Sequence, residues 1–412
     1  MSYQLRLYQQ EATAAGLAYL MNPKLKGRNG IIVQPTGSGK SLVIANIATR
    51  LDGPCVVFQP SKEILEQNLE KLAHYGYRAS VFSASMGRKE IGQITLATIG
   101  SVARRAEAFK DVPYVLIDEC HLVNAKGGMY REFTEMLDRS RVLGLTATPY
   151  RLASNSLGSE LRFLTRTVPR VFRDVVHHTQ IGDLFMQGYL SPLSYRDVPV
   201  LPKERLQLNT KGSDYTDESV QSLFGEVGFV RRLQEEVERA LDEGRKNVLV
   251  FTRFVNESQR LASAVKGCAV VTSETPAGTR ENLLTDFKRG RIRVVANVGI
   301  IALGFDYPEL ECVILGRPSI SLALYYQQVG RIIRPHHDKP VAHVVDMVGL
   351  VKQFGKIEDL TLRPGGTSGS QWTICSGDRP LTNTYFAQRD QVAPAGQSAR
   401  SQFWARRYGG RR

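Results

Sequence analysis

The chain has 412 residues, of which 42% are hydrophobic, and it carries a formal net charge of +14. This length exceeds one ordinary hydrophobic core and predicts two domains of roughly 100–200 residues each, with room for a tail. No apolar run approaches the roughly 20 residues of a membrane span, and the first residues lack the apolar core of a signal peptide, so we expect a soluble, cytoplasmic protein.

The charge and the cysteines limit the partners. An excess of Lys and Arg favours a polyanion, of which nucleic acid is the obvious example, although a merely basic soluble protein has the same composition. The five cysteines are scattered without a C-x-x-C pair, which predicts neither a disulfide framework nor a zinc site.

The first part of the chain, up to about residue 149, alternates short apolar runs with helical patterns. This alternation is typical of a parallel α/β sheet with crossover helices. The predicted strands are 31–34, 55–59, 79–82, 94–98, 114–118 and 142–146. A less regular segment, from residue 150 to about 179, is rich in Arg, Ser and Thr and is expected to cap or leave this domain.

A glycine-rich loop follows the first predicted strand and precedes a helical pattern over residues 42–50. The loop consists of Thr36, Gly37, Ser38, Gly39, Lys40 and Ser41. Gly37 and Gly39 let backbone N–H groups turn toward phosphate oxygens, next to the positive end of the following helix. Lys40 would neutralise the β and γ phosphates and Ser41 would hold Mg²⁺. The loop therefore predicts a nucleoside triphosphate site; a Gly/Ser turn before a helix is the alternative.

Two adjacent carboxylates follow the strand that ends near residue 118. Asp118 would bind Mg²⁺ and Glu119 would polarise the attacking water of phosphoryl transfer, whereas a solvated turn is the commoner meaning of Asp-Glu after a strand. Thr146 and Thr148 end the next strand, and their hydroxyls could reach His121 or Glu119. A turn with a helix cap is the alternative there.

The alternation of strands and helices resumes in the second half. Its predicted strands are 193–200, 247–251, 269–272, 293–296, 311–315 and 342–346, with a long helix over 217–242 and a polar loop over 206–213. From about residue 361 the composition shifts to Gly, Ser, Thr, Gln, Pro and Arg, which predicts a flexible basic tail. That tail could bind nucleic acid or remain solvated without a role.

The second half carries its own candidate groups. Asp306 follows the strand over 293–296, and Gln327 follows a helical pattern. Arg331 and Arg334 are three residues apart and would share one face if the segment is helical. Projected onto a nucleotide held by the first domain, they would act as arginine fingers; a surface pair making ordinary salt bridges is the alternative.

The order of these motifs resembles superfamily 2 helicases. The resemblance rests on LRLYQQEA, PTGSGKSLVIA, QPSKEILEQN, ATIGS, DECH, GLTATPYRL, GYLSP, VLVFTR, GFDYP and YQQVGRIIRP, which occur between residues 5 and 335. The particular residues within these motifs are similar to those of the RadD group of bacterial and phage DNA-repair helicases. The resemblance implies an α/β fold of two tandem RecA-like domains, each a mostly parallel sheet flanked by helices, at residues 1–175 and 176–360, followed by the basic tail at 361–412.

The resemblance also implies roles for particular residues. Gln9 looks like the glutamine that recognises adenine, supported by Arg6 and Tyr8. The ATP-binding set would be Arg6, Gln9, Thr36, Gly37, Ser38, Gly39, Lys40, Ser41, Gly304 and Asp306, with Ser41 and Asp118 holding Mg²⁺. The catalytic set would be Lys40, Asp118, Glu119, Gln327, Arg331 and Arg334. The coupling group would be His121, Thr146 and Thr148, and the nucleic-acid contacts would be Pro60, Ser61, Thr98, Ser101, Thr252 and Asn297.

Three departures from the family pattern limit what is carried over. Ala302 and Leu303 stand where relatives often have hydroxyl residues, Cys120 replaces the usual alanine, and the cysteine-rich zinc-binding region of RadD proteins is not found. We expect a monomeric, ATP-dependent DNA helicase or translocase in the cytoplasm of a bacterium or of a phage-infected host. An RNA-directed helicase, and a clamp or annealing module that uses ATP only as a switch, are the alternatives.

Overall fold

The apolar runs of the chain form two mostly parallel sheets, each flanked by helices. The computed structural model describes residues 4–74, 76–136, 140–155, 158–299, 305–365 and 371–387. Most central strands are buried along their whole length, because parallel strands are covered by helices on both faces. None of the helices in these ranges is long and apolar enough to cross a membrane.

The first sheet has eight strands in the order β10-β1-β7-β6-β2-β5-β3-β4, and only the β3–β4 pair is antiparallel. Its strands and the β8–β9 hairpin are β1 (Gly30–Val33), β2 (Cys55–Phe58), β3 (Ser80–Ser83), β4 (Arg88–Lys89), β5 (Ile94–Ala97), β6 (Tyr114–Asp118), β7 (Arg141–Thr146), β8 (Tyr150–Asn155), β9 (Gly158–Phe163) and β10 (Asp174–His178). Its helices are α1 (Leu7–Met21), α2 (Lys40–Ala48), α3 (Lys62–His74), α4 (Ile99–Val102) and α5 (Met129–Met136).

The second sheet has six parallel strands in the order β11-β16-β15-β12-β14-β13. These strands are β11 (Leu193–Asp197), β12 (Val248–Phe251), β13 (Cys268–Val271), β14 (Val294–Asn297), β15 (Cys312–Leu315) and β16 (Ala342–Asp346). The helices of this half are α6 (Ile181–Met186), α7 (Asp217–Glu226), α8 (Phe229–Asp242), α9 (Val255–Ala264), α10 (Ala277–Lys288), α11 (Leu322–Val329) and α12 (Leu350–Phe354). The two sheets confirm the predicted α/β fold with two tandem domains.

The helix predicted over residues 217–242 is in fact two helices. Gly228 adopts a φ of 61°, which ends α7 and caps the start of α8. The break lets Phe224 and Phe229 stack with ring centroids 3.9 Å apart, an arrangement that one straight helix would not allow. Hydrophobic periodicity alone did not reveal the break because both helices bury the same kind of apolar stripe.

The segment predicted to be irregular, residues 150–179, contains regular strands. It forms the β8–β9 hairpin, and β10 pairs in parallel with β1 at the edge of the first sheet. The domain boundary predicted at residue 175 therefore lies inside β10, and the first sheet extends to His178. The linking segment between the two sheets begins after that residue.

The prediction of a flexible tail from residue 361 is wrong for the part that the structure describes. Four further strands follow α12: β17 (Leu360–Gly365), β18 (Gln371–Ser376), β19 (Arg379–Pro380) and β20 (Tyr385–Ala387). Strands β17–β19 form an antiparallel sheet, which we call the C-terminal sheet, and β20 pairs with β9. Leu362, Ile374 and Leu381 are buried and belong to the apolar face of the C-terminal sheet. The polar composition of the segment gave no indication of this face. The rest of the predicted tail, residues 388–412, lies outside the described residues.

The C-terminal sheet follows the second domain along the chain, and the residues of this part of the chain bond to the linker and to the first domain. The side-chain amide of Gln180 donates to the Leu362 carbonyl at 2.7 Å, and the Leu362 N–H donates to Gln180 Oε1 at 2.9 Å. Farther on, the Asn383 N–H donates to the Leu161 carbonyl in β9 at 2.6 Å. The polypeptide therefore ties its two halves together at a second place besides the linker.

Candidate nucleotide-binding and catalytic site

One crevice between the two domains collects nearly all the predicted catalytic groups. It opens at the carboxyl ends of β1 and β6, where ligands of α/β sheets bind. The first domain lines it with Thr36, Gly37, Gly39, Lys40, Ser41, Lys71, Asp118, Glu119 and Thr148, and the second with Gln327, Arg331 and Arg334.

The phosphate loop has the backbone that its glycines predict. Gly37 and Gly39 both have φ of 79°, and α2 begins immediately afterwards at Lys40. Helix α1 supports the loop from outside the crevice, because the Tyr8 hydroxyl and the Gln9 amide donate to the Ser38 carbonyl at 2.8 and 2.7 Å. The first-turn N–H groups of α2 are thereby available to an anion.

Gln9 and Arg6 lie beside the loop and do not line the crevice in this structure. Gln9 Oε1 accepts a hydrogen bond from the Arg6 N–H at 2.9 Å, so both ends of its amide are engaged. The Arg6 guanidinium stacks 4.0 Å above the centroid of the Tyr189 ring. The adenine role of Gln9 remains a prediction. Tyr189, which sequence reasoning did not single out, is the additional residue at this place.

The acidic pair is fixed by the end of β6. Glu119 has φ of 49°, an uncommon conformation for a residue with a side chain and one that often marks functional sites. Burial raises the pKa of Asp118, and the neighbouring Glu119 charge adds to the effect. Burial also acts on Glu119, but Lys40 and His121 outweigh it and lower the pKa of that carboxyl. Glu119 is therefore the member of the pair that is held ionised.

Glu119 is connected to the end of the neighbouring strand through His121. His121 Nδ1 lies 3.2 Å from Glu119 Oε2, 2.9 Å from Thr146 Oγ1 and 3.1 Å from Thr148 Oγ1. The Thr148 N–H donates to Thr146 Oγ1 at 3.0 Å, which fixes the turn after β7. The structure thus brings together all three residues of the predicted coupling group, His121, Thr146 and Thr148.

The second domain presents its arginines to the same crevice, although not from a helix. Helix α11 ends at Val329, so the segment is not helical at Arg331 and Arg334 and the condition for a shared helical face is not met. Arg331 donates to the carbonyls of Phe305 and Gln327 at 3.0 and 3.2 Å. Burial lowers its pKa to about 10, and the charge of Glu119 opposes that shift. Turn geometry after the helix, rather than helical spacing, directs the guanidinium groups inward.

Asp306 pairs with Arg334 through its carboxylate. The role predicted for Asp306 was contact with the nucleotide, and in this structure its partner is the finger arginine. Gly304, with the Ala302 and Leu303 departures beside it, lies outside the described residues.

The two domains touch directly at the phosphate loop. A β-carbon added to Gly330 would lie 3.0 Å from Thr36 Cγ2, and one added to Gly37 would lie 3.1 Å from Leu190 and 3.5 Å from Ile333. Ser191 strengthens the contact within the second half, because its N–H donates to the Ile333 carbonyl at 2.8 Å. The structure therefore shows the domains closed around the crevice.

The crevice also offers ligands for a divalent cation. Ser41 Oγ and the Asp118 carboxylate are hard oxygen donors of the kind that Mg²⁺ prefers. Lys71 Nζ donates to Ser41 Oγ at 3.1 Å and is close enough to Asp118 to feel its charge, so a cationic group already occupies this place. The residues thus fit Mg²⁺. Sequence reasoning missed Lys71, because a lysine on an amphipathic helix reads as part of a solvated face.

Four of the predicted nucleic-acid contacts lie at the carboxyl ends of first-domain strands. Pro60 and Ser61 follow β2, and Thr98 and Ser101 follow β5, which pairs with β2. The hydroxyls of Thr98 and Ser101 are 2.9 Å apart, and all four residues are partly exposed. Their contact with a strand remains a prediction.

The other two predicted contacts are not available on the surface. Thr252 and Asn297 are each 1% exposed, at the ends of the paired strands β12 and β14. Thr252 Oγ1 forms a hydrogen bond with Ser258 Oγ at 2.6 Å. The structure corrects the prediction of direct strand contact through these two side chains, because both are enclosed by the second domain.

This arrangement defines the class: a two-domain P-loop enzyme in which groups of both domains face one nucleotide site. Residues 2–151 match the family model "Type III restriction enzyme, res subunit", and residues 230–336 match "Helicase conserved C-terminal domain". Both domains therefore resemble those of superfamily 2 helicases, a class of ATP-hydrolysing enzymes.

Two individual relatives are similar to this chain over most of its length. The chain is 28% identical over 325 residues to a 51.5 kDa protein of a Lactococcus phage, an alignment that covers 77% of this chain and 65% of the relative. It is 24% identical to the DNA 3'-5' translocase XPB2 of Sulfurisphaera tokodaii, covering 80% and 79%. The chain spans between about half and two thirds of the length of the first curated relatives it matches.

A solved structure shows the same fold at low sequence identity. The Type ISP restriction-modification enzyme LlaBIII, bound to DNA, superposes with a TM-score of 0.58 at 16% identity, covering 84% of this chain and 28% of that enzyme. At this identity the likeness concerns the fold alone.

Proposed function

We propose that this protein is an ATP-dependent DNA helicase or translocase of the RadD group that acts in DNA repair, recombination or replication. The observation that carries the proposal is the crevice that Lys40 and Glu119 share with Arg331 and Arg334. A nucleotide site made from two domains is complete only when they meet, so binding of a strand across both domains can control hydrolysis.

The first domain holds the nucleotide and activates the attacking water. The N–H groups around Gly37 and Gly39 bind the phosphates, and Lys40 neutralises their charge where β and γ phosphates would lie. Glu119, the ionised carboxylate, orients and polarises the attacking water. When bound through Ser41 and Asp118, Mg²⁺ supplies further positive charge for the phosphate oxygens.

The second domain completes the charge balance. Arg331 reaches the crevice from the turn after α11 and stabilises the charge that develops on the transferred phosphoryl group. Arg334, oriented by its ion pair with Asp306, stands beside it. Opening the domains withdraws both guanidinium groups and lowers the hydrolysis rate.

Coupling runs through the hydrogen bonds of His121. This imidazole contacts Glu119 on one side and the Thr146–Thr148 turn on the other, so a movement of that turn reaches the catalytic carboxylate. Repeated closure with ATP and strand, followed by reopening after hydrolysis, moves the protein along nucleic acid.

DNA is the favoured substrate. The net charge of +14 suits a polyanion, and XPB2, which aligns over four fifths of this chain, is named as a DNA translocase. Sugar–phosphate contacts distinguish DNA from RNA poorly, so substrate choice is an outcome of the test.

The test is ATPase stimulation by single-stranded, duplex and forked DNA and by matched RNA, combined with strand displacement on the forked duplex. We expect stimulation and displacement with DNA, and loss of both in Lys40→Ala and Glu119→Gln. Gly278→Ala, a change in open space on α10, is the matched control. Stronger stimulation by RNA would favour an RNA-directed helicase, and ATPase without displacement or translocation would favour a clamp. Normal turnover in the Lys40→Ala/Glu119→Gln protein would overturn the proposal.

A further inference from the structure

A second positively charged cavity lies outside the crevice between the two domains. Four arginines line it, together with Thr165, Asp174 and Gln371; we call it the arginine basin, and its arginines are Arg28, Arg166, Arg170 and Arg173. The side chains come from the segment before β1, the segment between β9 and β10, and the start of the C-terminal sheet.

The basin is at the opposite end of the first sheet from the nucleotide. Arg28 precedes β1 and Arg173 directly precedes β10, and these strands are parallel neighbours with Gly30 paired to Asp174. The basin therefore lies at the amino ends of the strands, whereas Lys40 and Asp118 follow or end strands at their carboxyl ends. A ligand there would touch neither the phosphate loop nor the residues proposed to follow the strand.

The charge of the basin is only partly compensated. Asp174 pairs with Arg28, and Arg166 donates to Gln371 Oε1 at 3.3 Å. Within the described ranges, the guanidinium group of Arg170 has neither a hydrogen-bond nor an ion-pair partner, and Arg173 shares the charge of Asp174 with Arg28. Four guanidinium groups face one carboxylate, which leaves three positive charges in excess in one cavity. Such clustering costs electrostatic energy that a bound anion would recover.

Thr165 supplies an independent observation. Its side chain is 97% buried, as its relative exposure is 3%, and its hydroxyl Oγ1 has no hydrogen-bond partner among the described residues. A buried polar group without a partner is destabilising and requires an explanation. Thr165 lines the basin, so an acceptor oxygen of a ligand in the cavity could complete its hydrogen bonding.

We propose that the arginine basin binds the phosphodiester backbone of nucleic acid, as an accessory contact beyond the strand path of the motor. The proposal rests on the proposed function, which supplies nucleic acid as the partner. Guanidinium groups bind phosphate oxygens bidentately, and the basin uses arginine throughout and no lysine. This contact holds DNA that emerges from the motor or loops past it, and it carries no base specificity.

The first experiment measures the salt dependence of DNA affinity for Arg170→Ala/Arg173→Ala. Both side chains are exposed and donate no hydrogen bond within the described ranges, so the fold should be retained. We expect weaker binding and a log–log salt slope that is smaller by about one to two, since each lost phosphate contact removes about 0.9. The control is Arg231→Ala/Arg289→Ala, which removes the same charge from exposed positions of the second domain.

The second experiment uses Thr165→Val, which replaces the hydroxyl by a methyl group of the same size. If the hydroxyl serves only the fold, its removal leaves DNA affinity unchanged. If it binds the phosphate, the variant binds DNA several-fold more weakly, although its melting temperature is equal to or above that of the wild type.

The outcomes separate the two proposals. A wild-type protein that binds no nucleic acid would overturn the proposed function and the basin together. A wild-type protein that binds DNA, with equal salt slopes in the basin variant and the Arg231→Ala/Arg289→Ala control, would overturn the basin alone.

Discussion

Gly330 is the place where closure of the domains can be tested by one methyl group. Its φ of −57° suits alanine, so the backbone is not strained by the change. The added carbon would lie 3.0 Å from Thr36 Cγ2 in the phosphate loop and 2.8 Å from the Tyr326 carbonyl oxygen. Both distances are several tenths of an ångström below ordinary contact. The clash with Thr36 exists only while the domains are closed, whereas the clash with the Tyr326 carbonyl lies within the second domain and lowers stability in both forms.

The expected magnitude follows from the cost of overpacking, which is about 1–3 kcal/mol. Applied to the closed form, that cost lowers its population by about 5- to 150-fold. We therefore expect Gly330→Ala to reduce ATPase activity stimulated by nucleic acid by at least several-fold, while the melting temperature falls by only a few degrees.

The assay is steady-state ATPase with saturating DNA, alongside ATP binding and thermal unfolding. Gly278→Ala, whose added carbon meets nothing within 4 Å, controls for glycine replacement as such. Stimulated turnover in Gly330→Ala equal to that of Gly278→Ala would show that the closed form described above is not the active one.

Three further predictions concern the ties around the site. Gln180→Ala leaves the Leu362 N–H and carbonyl unpaired and should lower the melting temperature, with a cost of about 1–3 kcal/mol; unchanged unfolding would show that the bonds between the linker and the C-terminal sheet do not stabilise the fold. Thr148→Val removes the hydroxyl 3.1 Å from His121, so it should keep ATP binding but lose much of the stimulation by DNA; full stimulation would argue against coupling through His121. Burial raises the pKa of Glu257 from its ordinary 4.5 to about 7, so the stabilising neutral form is present below pH 4.5 and is lost as the pH rises to 7. Relative to Glu257→Gln, the wild type should therefore lose roughly 3 kcal/mol of unfolding free energy over that interval, at about 1.4 kcal/mol per pH unit; parallel stability curves in denaturant would contradict this.

Much of the fold could be predicted because of the physics of parallel sheets. Strands such as β6 and β12 are buried on both faces and so appear as continuous apolar runs, and the boundaries of β6 and β16 agree with those predicted. Strands β17 and β18 were missed because each buries only two apolar side chains among Thr, Arg, Pro and Ser, and β19 buries none. Their stability comes from tertiary contacts, including the Gln180–Leu362 bonds, which composition does not record.

In the candidate site too, the features that are local in sequence could be predicted, and those that depend on tertiary contacts could not. The residues of the phosphate loop are contiguous in sequence, and so are the two residues of the acidic pair. Each motif could therefore be predicted from local sequence alone. Lys71 and the Asp306–Arg334 pair depend on how separate elements pack, and no local pattern reveals them. The basin is a further case, because its arginines converge only when β1 and β10 become neighbours.

Single-turnover ATP hydrolysis by Arg331→Ala, with DNA bound, tests most directly whether the second domain completes the nucleotide site. An arginine finger contributes about 10³- to 10⁵-fold to the rate, so the stimulated rate should fall by that order while ATP still binds. Arg289→Ala, an exposed arginine elsewhere in the second domain, should hydrolyse ATP at the wild-type rate. A stimulated rate in Arg331→Ala within about threefold of wild type would contradict an interdomain active site.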